Sequence, residues 1–225
     1  MSVINAERRA HRAAKREARS GAGPTVAGVE PGVNPGATAK FGLFGEVLTV
    51  GLLMTIIALG VVTLPIALAA GIRHLRRFVA AEDSRTALFW DDVRTGILPS
   101  LRVGVPAALI AAVLTVDVVL AGSGALPGGE FIAVIGWAGL LALAVAVLLA
   151  AGAWSPSTGW NAAVRAVPGM ITADAAGAAY IAAAAVFTGV VTWALAPLFI
   201  AGIGCAALAV VAVPGRRRRG VHPAE

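Results

Sequence analysis

Apolar residues in this chain come in long unbroken runs, not on one face of otherwise polar helices. From Val47 to Ile72 there is no ionisable residue. At ~1.5 Å per helical residue, that run covers a ~30 Å hydrocarbon core even with the kink that Pro65 should cause. It is expected to be a transmembrane helix over about residues 44–72. Four further runs predict spans at about 101–121, 131–153, 175–196 and 198–213, the last two separated where Pro197 disfavours helical geometry at Ala196. The last is short enough to stand untilted, with Arg216 to Arg219 reaching back to the surface. Residues 84–96 pattern as an amphipathic interfacial helix, with Ser84 as N-cap, Phe89, Trp90, Val93 and Ile97 on its apolar side, and Pro99 as its stop. The more polar link after the third span should hold a short surface helix, with Trp154 and Trp160 at headgroup depth. The fold class is therefore all-α: a polytopic helical membrane protein of about five transmembrane helices and one interfacial helix.

Composition supports this. Of 225 residues, 58% are hydrophobic and 13% charged, whereas a soluble domain carries charge on about a quarter of its residues. The domain limits follow: a basic tail over 1–42 whose Gly- and Pro-rich second half has no periodic apolar face, a membrane domain over 43–213, and a basic tail over 214–225. The net charge of +6 is concentrated in blocks that flank the apolar runs, which is the pattern of a membrane protein. No aromatic residue is interleaved with the N-terminal arginines, so specific nucleic acid is not an expected partner. Counting cations near membrane ends places the 73–102 loop and the C-terminus in the cytoplasm of a bacterial inner membrane. With five spans the N-terminal arginines then lie outside, or else the region from Phe41 to Ile72 does not cross once.

Few residues offer chemistry. Catalytic residues, a metal site and a cofactor are not expected, because His11, His74 and His222 lie in basic tails or loops, too far apart for a recognisable ligand spacing, and no phosphate-binding or nucleophile-elbow motif occurs. The lone Cys205 reads as a small packing residue. Ala138, Ala142, Ala146 and Ala150 recur at every fourth position and predict a face that a second helix can approach closely. Asp117 is the one charge deep in a span. Either it forms a polar substrate or proton contact with Thr115 or Thr63, or it reaches the nearby outer interface. Glu46 reads as a charge placed at a helix start. Arg73, Arg76 and Arg77, followed by Phe89, Trp90, Asp91, Asp92 and Arg94, form a candidate contact surface for a partner or for lipid headgroups.

The run from Leu48 to Arg77, the segment FWDDVRTGILPSLRVG and the span containing TVDVVLAG together resemble the YesL-like family of bacterial integral membrane proteins. The features that carry the likeness are Val61 to Pro65, the basic stretch, Phe89 to Arg94, and Asp117 late in a span. The loop from Ala80 to Leu101 is also similar to the coupling loop of sugar permeases, without that motif's glycine near Arg85 or Thr86. The resemblance implies a non-catalytic accessory protein of a transport system, associated with carbohydrate uptake. Its partners would be the bilayer, transporter subunits or a second copy of the chain. The rival reading is a small transporter or permease subunit that itself lines a solute path.

Overall fold

The computed structural model describes residues 40–80, 82–124 and 127–219, with side chains reported over 42–214 of these. The expected basic tail before Lys40, the end of the C-terminal tail after Arg219, and the side chains of Arg216 to Arg219 lie outside the described part. The described residues form seven α-helices: α1 (Lys40–Ala58), α2 (Leu64–Val79), α3 (Thr86–Gly122), α4 (Gly129–Ala153), α5 (Gly159–Ala173), α6 (Ala175–Ala194) and α7 (Phe199–Arg219). Helices α3, α4 and α6, with the segment Ala196–Pro214, are long and apolar enough to cross a membrane, and α1 contains a shorter apolar stretch. The chain is thus an all-α polytopic membrane protein.

The first span expected over 44–72 is instead two helices joined by a turn. Pro65 cannot donate the intrahelical hydrogen bond, and its ring would clash with the carbonyl four residues back, so it sits in the first turn of α2, where no donor is needed. Gly60 and Val61 make the turn, Val61 in a left-handed conformation at φ 44°, and the Thr63 hydroxyl donates to the Ile57 carbonyl. The chain then comes back along itself: Gly71 packs on Met54, and His74 meets Glu46. The start of α1 and the end of α2 therefore share one end of the bundle. Helix α7 runs antiparallel to α1, with Gly51 close to Ile200 and Gly204 close to Val47, so its C-terminus reaches that same end. This layout replaces the opposite-sided termini expected from five spans.

Helix α2 is enclosed by its neighbours. Every residue from Pro65 to Ile72 is buried, as are His74 and Leu75, and it contacts α1, α3, α4 and α7.

The interfacial helix and the second span also differ from expectation. They form one continuous helix, α3, with Pro99 and Pro106 inside it and Thr86 as its first residue, so Ser84 is not the N-cap. In lipid, breaking the helix would leave several backbone groups unpaired, a larger cost than the one bond each proline forfeits. The apolar stripe at Phe89 and Val93 packs inward, while Trp90, one position round the helix, faces out. Further along, α3 pairs with α4: Gly129 lies against Ala121, and Gly136 and Gly139 lie against Val118 and Leu114. These glycines form the close-packing face of α4. The expected alanine seam does not, since Ala138 and Ala142 are exposed and only Ala150 of the four is buried. Cys205 likewise faces outward and is no packing residue.

The expected spans over 131–153 and 175–196 match α4 and α6 closely, and the surface helix between them is α5. The span expected over 198–213 continues as helix through Pro214 to Arg219.

Gly104 of α3 touches the turn before α2, and a Cβ there would collide with the Val62 carbonyl oxygen. Gly104→Val is expected to lose about 2 kcal/mol or more of stability through overpacking against backbone. Gly169→Ala, in a helix position with open space around it, should be neutral or slightly stabilising. Thermal unfolding of the detergent-solubilised protein measures both.

Candidate functional site

Polar side chains gather at the end of the bundle where α2 finishes. Arg73, Arg76 and Arg77, at spacings of three and four, project from the last two turns of α2. Asp92 of α3 is buried between two of them: its Oδ2 accepts from Arg77 Nη2 at 2.9 Å and forms an ion pair with Arg73, whose Nε lies 3.2 Å away. The Arg73 guanidinium lies over the Trp154 ring at 5.6 Å from its centroid, and Trp154 stacks on Trp160 at 5.5 Å. Both tryptophans are buried among protein side chains at this end of the core. The missing Cβ of Gly96 lets α3 approach Trp154 and Ile66 at this point. The result is a layered clamp that ties α2 to α3, α4 and α5.

Arg76 takes a different partner, donating from Nη2 to the Gly152 carbonyl at the end of α4 at 3.2 Å. Outside the helices, in the loop before α3, the Arg85 side chain donates to Asp83 and holds its carboxyl below the usual carboxylate range.

A second polar pair lies beside the clamp. His74 is not in a basic loop but is buried in α2, edge-on to Phe89, and its Nε2 is hydrogen-bonded to the Glu46 carboxylate. Glu46 therefore serves as a partner for a buried imidazole as well as standing near a helix start. The Nδ1 atom of His74 has no hydrogen-bond partner among the described residues. Among the described residues, no group of three His, Cys, Asp or Glu side chains is arranged to hold a metal.

The comparisons bring no further name. No protein-family model matches the chain, and no curated protein or solved structure gives a match.

The candidate contact surface is thus split in two. Arg73, Arg77, Phe89 and Asp92 turn inward as parts of the clamp, while Trp90, Asp91 and Arg94 remain exposed on the outer side of α3. Sequence spacing brought the arginines to one face but could not show that Asp92 would neutralise them, because the turn at 59–63 sets that meeting. Asp117, Thr115 and Thr63 do not converge. The Thr115 hydroxyl is satisfied by the Ala111 carbonyl and that of Thr63 by Ile57. Thr63 sits beside the turn that packs on Gly104, roughly 20 Å of helix from Asp117 by rise.

Where the turn, α3, α4, α6 and α7 meet there is a cavity of about 330 Å³. Leu64, Ala107, Ala144 and Ile203 are typical of its walls, and Thr188 is its only hydroxyl-bearing residue. That hydroxyl is already engaged with the Ala184 and Gly202 carbonyls.

Asp92→Asn leaves two arginines facing each other without a counter-charge. It is expected to cost about 3 kcal/mol or more, the scale of a buried pair losing one partner. Asp91→Asn, on the exposed side of the same turn, should cost under about 0.5 kcal/mol. Comparing the two by thermal unfolding in detergent checks the assignment.

Proposed function

We propose that this chain is a non-catalytic integral membrane protein that serves a membrane transport system as an accessory component. The apolar character of the central cavity carries the reading. A path for a sugar or an ion needs polar side chains converging at the bilayer midplane. The one hydroxyl at this cavity is occupied by backbone, and Asp117 stands well away from it. This argues against the rival in which the chain itself lines a solute path.

The resemblance to YesL-like proteins supports carbohydrate uptake as the system served. The positive-inside rule supports a cytoplasmic location for the arginine-rich end of the bundle, and with it the C-terminus, in a bacterial inner membrane. The surface offered to a transporter subunit on that side is the exposed face of α3 around Trp90, Asp91 and Arg94. An exposed aromatic beside opposite charges combines contact area with orientation.

A photo-crosslinking residue at position 94, in cells growing on different sugars, is expected to yield one adduct with a component of an uptake system, which Trp90→Ala abolishes. The same residue at position 134, on the exposed apolar side of α4, should give lipid adducts only. Lipid adducts alone at position 94, with Trp90→Ala leaving growth unchanged on every sugar, would remove the proposal.

A further inference from the structure

Below the central cavity, towards the arginine-rich end, a second cleft of about 270 Å³ lies between α4, α6 and α7. The two follow one another along the same helices. On α4 the lining passes from Val147 and Leu148 to Leu149 and Gly152, and on α7 from Ala206 to Val210 and Val213. The second cleft is thus the one nearer the basic end of the bundle. At that end stands Arg76, exposed, with the Gly152 carbonyl as its hydrogen-bond partner and no carboxylate in ion-pair range among the described residues. It differs in this from Arg73 and Arg77, which share Asp92 as an ion-pair partner. The one carboxylate at the cleft, Asp174, caps α6 by accepting from the Gly177 N–H at 2.9 Å. The chain that leaves the cleft at Pro214 runs directly into Arg216 to Arg219, so the sequence adds further positive charge at that end.

Apart from Arg76 and Asp174, the side chains around the cleft are apolar. A cation at one end of an apolar cleft between membrane helices is complementary in charge and in polarity to one class of molecule.

We propose that the cleft holds an anionic phospholipid, one acyl chain lying along its apolar walls and its phosphate pairing with Arg76. A lipid seated there would cover apolar walls that α4, α6 and α7 leave open and would supply the missing counter-charge. It would also act as a fixed part of the surface offered on the basic side. The site does not depend on the accessory role proposed above and stands if the partner is of another kind.

The test is native mass spectrometry of the full-length protein, delipidated in detergent and titrated with dioleoyl phosphatidylglycerol or dioleoyl phosphatidylcholine. One tightly held phosphatidylglycerol is expected, preferred over phosphatidylcholine about fivefold, the factor one arginine contributes near an anionic surface. Arg76→Gln should bring that preference close to unity, while Arg76→Lys keeps most of it. Ala178→Leu, which fills the cleft from a partly exposed position, should weaken both lipids. Arg165→Gln, an exposed cation elsewhere, should change neither. Millimolar inorganic phosphate should not displace the lipid. Equal retention of the two lipids by the unaltered protein, an unchanged preference in Arg76→Gln, or full displacement by phosphate would each overturn the proposal. If Arg76→Gln fails to fold, unchanged retention in Ala178→Leu overturns it alone.

Discussion

The burial of α2 is the constraint on which the rest of this structure depends. A helix that ends in three arginines has been placed in the interior of a membrane bundle, where an unpaired charge is costly. Asp92 makes this tolerable. Its carboxylate takes two of the three guanidinium groups, and Trp154 lies against one of them, so the charges are held by geometry and not dispersed in solvent. A pair of this kind adds less net stability than its short distances suggest, because both partners were desolvated to form it. Its value lies in register: only one rotation of α3 against α2 brings Asp92 between Arg73 and Arg77 and at the same time lets Gly96 meet Ile66 and Gly104 meet the turn.

Helix positions were largely readable from the sequence because the membrane imposes length and hydropathy on each span. The third and fourth spans and the short helix between them matched within a few residues. The first did not, and the reason is physical. An apolar run long enough to cross the bilayer once also accommodates a turn within it, and what separates the two is where Gly60 and Pro65 fall relative to neighbours that composition does not reveal. Proline misled in the opposite direction at Pro99, where the cost of breaking a helix in lipid outweighs one lost hydrogen bond.

The candidate site was legible in part. Arg73, Arg76 and Arg77 share a face by spacing alone, and Trp90, Asp91 and Arg94 are exposed. The inward turn of Phe89 and Asp92, the stacking of Trp154 on Trp160, and the pairing of His74 with Glu46 depend on contacts between residues far apart in the chain. One clue was available. A buried histidine between Arg73 and Arg76 needs a hydrogen-bond partner, and Glu46 is the sole carboxylate near the start of the first apolar run.

The return of the chain between α1 and α2 is what brings the arginines of one helix to Asp92 and fixes both described ends of the bundle on one side. It is open to direct measurement by electron–electron spin resonance between labels at Phe44 and Val79, both exposed, in a Cys205→Ala background. A hairpin requires a separation under about 30 Å, while one straight helix would hold the labels about 50 Å apart at the helical rise. A single distribution near the shorter value is expected, and one centred near the longer value would contradict the fold described.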